Sequence, residues 1–237
     1  MTATVREAPG NSPEQLAVGR SPLRTVLLLV IAVALVLLGG GAAVALGIGR
    51  DDAPAADSVD AGFAWDMSRH HLQGVEMANL VAARSADPVI RSLGFDISAT
   101  QTNQVGRMQG WLSLWGLSPT NPNPPMAWMG SDMGDMAGMA GTSATEMADG
   151  ALMPGMATED ELTQLGSLSG TAFDVQFLRL MIRHHQGGLK MAQYAVAHAQ
   201  EPAVRTLARS IADTQTAEVS TMVQLLTARG GTPLPAP

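Results

Sequence analysis

Two adjacent histidine pairs, His70-His71 and His184-His185, offer the most chemistry in this chain and use four of its five histidines. The chain has no cysteine. That excludes disulfides, thiolate zinc sites and thiol nucleophiles, and leaves soft-metal chemistry to imidazole and thioether. Each pair has the same setting: Met67, His70, His71, Gly74, Met77 in one place and Met181, His184, His185, Gly188, Met191 in the other. On a helix turning roughly 100° per residue, each set falls within an arc of about 120°. The glycine leaves open space in the middle of the arc. Buried imidazoles are costly unless their nitrogens are partnered. Histidine is the commonest metal ligand, and thioether with imidazole selects copper over Mg, Ca or Mn, Cu(I) ahead of Cu(II). The candidate ligands are therefore His70, His71, His184, His185, Met67, Met77, Met181 and Met191.

A second tier follows from the same reasoning. Met108 and Met222 lie on the helices expected to face these stripes. Met126, Met129, Met133, Met136 and Met139 open a methionine-rich stretch. Asp60 and Asp174 share the arc but lie about 15 Å along the axis from the histidines; capping a helix start is their competing role. A plain packing reading also stands. Methionine fills irregular core gaps, and Gln101 or Gln215 is available to hydrogen-bond an inward histidine. His198 has Arg84 as its counterpart in the other set and reads as a surface residue.

The elements that carry these residues come from a repeat. Residues 60–116 align without a gap on residues 174–230 at a constant offset of 114, with 21 of 57 positions identical. Beyond the histidine motif, Pro88 matches Pro202, Thr100-Gln101-Thr102 matches Thr214-Gln215-Thr216, and Val105, Met108 and Leu112 match Val219, Met222 and Leu226. Each unit reads as two helices. The first spans 59–86, or 171–199 in the copy. Pro88 or Pro202 opens the next, where a missing N–H is tolerated. Gly116 and Gly230 suit the ends. A short break makes each unit a hairpin, and two hairpins bury their apolar faces only against each other. The expected fold is all-α, a four-helix bundle of two repeated hairpins, 58–116 and 158–230. Thr158-x-x-Glu161 reads as a capping box opening a short extra helix.

The 117–157 connection is of another kind. Its start, Ser118-Pro119-Thr120-Asn121-Pro122-Asn123-Pro124-Pro125, is incompatible with regular helix. Eight of the fifteen methionines follow between Met126 and Met156, among Gly, Ala, Ser and Asp. This composition predicts a low-complexity, mobile segment. Residues 49–57 read as a linker and 231–237 as a tail.

Val26 to Ile48 is an uncharged, apolar run, long enough to cross a bilayer core of about 30 Å. Arg20 and Arg24 precede it, and Asp51, Asp52, Asp57 and Asp60 follow it. This places residues 1–25 in the cytoplasm and the bundle outside. The expectation is a single-pass membrane anchor. The competing expectation is a signal peptide cleaved near Ala43-Val44-Ala45, leaving a secreted protein. The net charge of −7 leaves no electrostatic footprint for nucleic acid. A di-iron site needs Glu-x-x-His on two helices, and methionine stands at the Glu position of both. No phosphate-binding glycine loop, Gly-x-Ser-x-Gly or His-Glu-x-x-His occurs.

The stretches Phe63–Ala78 and Phe177–Ala192 both read Phe-x-x-x-Met-x-x-His-His-x-x-Gly-x-x-Met-Ala. In this the chain resembles the domain-of-unknown-function 305 family from about residue 58 to 230. The resemblance implies a ferritin-like bundle exported beyond the cytoplasmic membrane, with copper binding and copper tolerance as associated roles. It implies the same eight His and Met ligands. The function expected is extracytoplasmic copper sequestration or handling, without catalysis, through the His/Met face and the methionine-rich stretch. A protein that donates or accepts copper is an implied partner. The competing functions are a copper-dependent redox enzyme and a structural or partner-binding bundle without metal.

Overall fold

The computed structural model describes residues 22–45, 52–132 and 150–237. Among them are six α-helices and no strand, divided into two units, 1–52 and 53–237. The first unit holds α1, Pro22–Ala45. Its Leu23–Ala42 stretch has a mean hydropathy of 2.6 and is long and apolar enough to cross a membrane. It fits a membrane anchor or a signal segment equally.

In the second unit the chain runs through α2 (Val59–Arg84), α3 (Pro88–Leu114), a short 3-10 segment (Ala127–Asp132), α4 (Glu159–Ser167), α5 (Gly170–His198) and α6 (Pro202–Ala228). The ends follow local chemistry. Ser58 caps α2 by accepting from the Ala61 N–H at 3.1 Å. Pro88 and Pro202 begin α3 and α6, and Asp87 caps α3 through the Val89 N–H at 2.8 Å. Gly116 and Gly230, just beyond the ends of α3 and α6, have φ of +70° and +72°, a conformation that glycine adopts without a Cβ clash. The capping box at α4 is complete: Thr158 Oγ1 accepts from the Glu161 N–H, and Glu161 accepts from the Thr158 N–H.

Helix α2 packs on α3, α5 on α6, and α2 on α5. Two separate apolar cores form at the two ends of these helices. The first gathers Phe63 and Met67 of α2, Met108 and Leu112 of α3, Met191 and Ala195 of α5, and Leu207 and Ile211 of α6. The second gathers Met77 and Val81, Ile90 and Ile97, Phe177 and Met181, and Met222 and Leu226 from the same four helices. The early part of α2 therefore meets the late part of α5, so these two helices run antiparallel. Between the cores lies a polar layer that contains the histidines. A fully buried phenylalanine such as Phe63 or Phe177 contributes roughly 1.5–3 kcal/mol, so each core offsets part of the cost of the polar layer between them.

The connection after α3 departs from the expected loose linker over its described parts. Asp66, buried on α2, accepts from Asn121 Nδ2 at 3.0 Å, the Met126 N–H at 2.7 Å and Trp128 Nε1 at 2.9 Å. Trp65 Nε1 donates to Ser118 O at 2.8 Å. On the far side, Gln73 exchanges two hydrogen bonds with the Ala157 backbone, at 2.9 and 2.7 Å. Arg183 donates to Met156 O and to both oxygens of Glu161. Burial raises the Glu161 carboxyl pKa, but these bonds from Arg183 and Thr158 outweigh it and hold the group below its ordinary value. Composition suggested mobility, but buried polar side chains on α2 and α5 provide the anchoring that composition does not reveal.

Candidate metal centre

All four paired histidines are fully buried. His70 and His71 come from the middle of α2, His184 and His185 from the middle of α5. The rings of His70 and His184 lie face against face, with centroids 3.8 Å apart and planes 33° apart. Two glycines permit this approach. A Cβ on Gly74 would stand 3.0 Å from His184 Cε1 and 2.2 Å from Gln101 Oε1. A Cβ on Gly188 would stand 3.1 Å from His70 Cε1 and 2.9 Å from the Gln215 amide. Each helix thus offers its glycine to the ring of the other.

Every Nε2 is taken. His70 Nε2 donates to Pro154 O at 3.2 Å, and His184 Nε2 to His70 O at 2.9 Å. His71 Nε2 meets Gln104 Oε1 at 2.7 Å, and His185 Nε2 meets Glu218 Oε2 at 2.7 Å. A carbonyl or carboxylate oxygen only accepts, so these partners place the proton on Nε2. In a neutral ring the other nitrogen is then a bare lone pair. All four Nδ1 atoms are buried without a hydrogen-bond partner. Four such lone pairs in one layer are costly, since buried polar atoms are normally partnered. Burial also pushes His70 down to about 4 and His71 down to about 3. His184 is held well below the ordinary value by burial and by its neighbours His70, His185 and His71. Those three rings are neutral at pH 7, the form that binds metal.

Among the described residues, no three His, Asp or Glu side chains converge into one metal-holding group. Any ion held here needs sulfur as well as nitrogen. Six thioethers on the same four helices are fully buried: Met67, Met108 and Met191 in the first core, Met77, Met181 and Met222 in the second. The donor set of orphaned Nδ1 atoms with flanking thioethers fits a soft cation.

The second-tier residues divide. Met129 is buried in the first core and Met126 lies at its edge; Met133, Met136 and Met139 fall outside the described residues. Asp60 has both oxygens engaged by backbone N–H groups of Gln200 at 3.0 Å and Glu201 at 2.8 Å. It holds the turn that leads into α6, across the fold, while Ser58 caps the helix that carries Asp60. Asp174 is buried, with Oδ1 unpartnered, beside a surface pocket lined by Asp87 and Arg229 rather than by the histidines. His198 is exposed and stacks on Tyr194.

Sequence reasoning offered Gln101 or Gln215 as the histidines' partners, but the partners are Gln104 and Glu218. The Gln101 and Gln215 amides are buried with no partner at either atom. Both true partners sit one helical turn before Met108 and Met222, on the same stripe as those methionines, which is a legible signal. No such signal marked Pro154, whose carbonyl reaches His70 from the connecting segment.

The family profile described as "Domain of unknown function (DUF305)" matches residues 60–226. Among solved structures, a candidate secreted DUF305 protein from Streptomyces coelicolor is 41% identical, with a TM-score of 0.66 over 76% of this chain and 99% of its own. A DUF305 fragment from Deinococcus radiodurans is 32% identical, with a TM-score of 0.56 over 75% and 99%. CopM in its Cu(I)-bound form shares the fold at 22% identity, with a TM-score of 0.53 over 73% and 98%. No protein with a curated description matches. With the profile spanning most of the chain and the doubled His-His motif in its two central helices, this protein belongs to the DUF305 family.

Proposed function

We propose that this protein binds soft cations outside the cytoplasm, with copper as its cargo, and that it sequesters or hands on that cargo without turning over a substrate. The observation that carries this reading is the set of four buried histidine Nδ1 atoms with no partner. They are set between two groups of buried thioethers. Each imidazole is already fixed in orientation by an acceptor on Nε2, the usual arrangement behind a metal-binding histidine. The described protein frame supplies what a soft ion needs: neutral nitrogen and sulfur donors in a site closed to water.

In this reading the four long helices are a ferritin-like four-helix bundle made by duplication, and α1 anchors it in the membrane. The methionine-rich stretch from Met126 to Met156 captures Cu(I) and passes it inward. That related folds have been solved as Cu(I)-, Cu(II)- and silver-bound CopM supports the choice of cation.

The test is titration of the detergent-solubilised chain with Cu(I) against a chromophoric chelator and with Cu(II) by spectroscopy. Binding is expected in the wild type and lost when His70, His71, His184 and His185 are all replaced by Ala. Because that variant removes four buried rings, the milder pair Met67→Leu and Met181→Leu is run beside it, with weaker Cu(I) binding expected. Full copper binding after all four histidine replacements overturns the assignment.

A further inference from the structure

Asp60 and Asp174 occupy the same position of the repeat, yet the fold treats their carboxylates differently. Both oxygens of Asp60 accept from adjacent backbone N–H groups, of Gln200 at 3.0 Å and of Glu201 at 2.8 Å. By the 114-residue offset, the turn that matches Gln200–Glu201 is Ala86–Asp87. That turn does not serve Asp174. The Asp87 N–H donates to Ser85 Oγ at 3.2 Å, and the match of Ser85 in the other repeat is Ala199, which has no side-chain acceptor. Asp174 is only 4% exposed, and its Oδ1 has no hydrogen-bond partner. A carboxylate oxygen taken out of water without a donor is costly.

Asp174 and the Ala86–Asp87 turn line a common surface pocket of about 440 Å³, within the size range of small-molecule sites. Thr171 lines it from the start of α5, and Ala228 and Arg229 from the end of α6. Arg229 is committed elsewhere: it donates to the Asp87 carboxylate and to Leu225 O.

We propose that this pocket binds a small guanidinium compound, with the Asp174 carboxylate accepting from two of its N–H groups. Asp60 displays the contact that this position of the repeat makes: two adjacent N–H donors, one to each oxygen. A guanidinium group presents two parallel N–H donors in one plane, and a charged donor on a carboxylate makes a bond about twice as strong as a neutral one. The start of α5 carries about half a positive charge, which offsets part of the carboxylate's charge and leaves the rest for the ligand. The methyl groups of Ala86 and Ala228 border the pocket for the carbon part of the ligand. The site lies about 15 Å along α5 from His184 and does not depend on the copper reading.

The test is a titration of the full chain in detergent with N-methylguanidinium chloride, followed by the amide resonance of Thr171. A saturable shift confined to the pocket is expected. Asp174→Asn keeps the shape and removes the charge, and is expected to weaken binding by about 10-fold or more. Ala228→Phe, at an exposed position, blocks the pocket without touching a carboxylate and is expected to abolish binding. A blocked Ala-Arg-Ala peptide is titrated beside the small compound; the tighter of the two identifies a partner's arginine side chain or a free guanidinium compound as the source. Methylammonium is the comparator and is expected to bind more weakly. Absence of a saturable shift for both guanidinium probes, shifts spread over the whole chain, wild-type affinity in Asp174→Asn or Ala228→Phe, or methylammonium binding as tightly as methylguanidinium would each overturn the proposal.

Discussion

Burial of the imidazoles makes stability depend on pH in a definite direction. His70 and His71 titrate near 4 and near 3 in the folded protein, whereas an unfolded histidine titrates near 6.5. Between about pH 6.5 and 4 the unfolded chain therefore binds more protons, and folded stability must fall as pH falls through that window. The contribution is fully present above pH 6.5 and is lost progressively below it. At pH 5 each ring has crossed about 1.5 pH units of this window, worth about 2 kcal/mol at 1.36 kcal/mol per unit. Two rings give about 4 kcal/mol, and His184 shifts in the same direction. Against a typical domain stability of 5–15 kcal/mol, that removes a quarter or more of the metal-free protein's stability at pH 5. The assay is urea denaturation of the chelator-treated chain, followed by far-ultraviolet circular dichroism from pH 7.5 to 5. A midpoint that stays level across this range would refute the reasoning, because rings in contact with water carry no such penalty.

Two further outcomes follow from the packing. A Cβ on Gly187 would lie 2.0 Å from the Pro154 carbonyl oxygen and 2.4 Å from its carbon, so Gly187→Ala pushes the 153–157 segment away from α5. A loss of about 1–3 kcal/mol is expected, together with faster hydrogen exchange at Ala157; unchanged exchange there would contradict the close seating of the segment. Asp60→Ala removes the carboxylate that holds the Gln200–Glu201 turn before α6 from across the fold. Chemical denaturation should show a loss of about 1–2 kcal/mol while copper affinity stays as in the wild type; a large drop in affinity would return Asp60 to the ligand set.

Much of the architecture was legible because it rests on short-range rules. The 114-residue offset, the prolines at the starts of α3 and α6, the Thr158–Glu161 box and the 3.6-residue spacing of Met67, His70, Gly74 and Met77 each depend on neighbours within a turn or two. They placed the four long helices of the second unit to within two residues of the observed ends and put all four histidines on an inward stripe. Sequence also fixed the ligand chemistry available: with no cysteine, only imidazole and thioether could serve a soft ion.

Tertiary structure alone decided how those groups meet. Gln104 and Gln101 are both plausible partners by spacing; only the rotation of α3 against α2 selects Gln104 for His71. Whether Asp60 serves its own helix start or a distant turn depends on where the chain enters α6, more than a hundred residues away. Pro154 reaches His70 because Gln73 and Arg183 hold the connecting segment down, and no pattern within that segment encodes it. Side-chain periodicity is a property of one helix, whereas pairing, burial of a lone pair and unequal charge behind equal rings are properties of helices packed together, and those are set by the whole core at once.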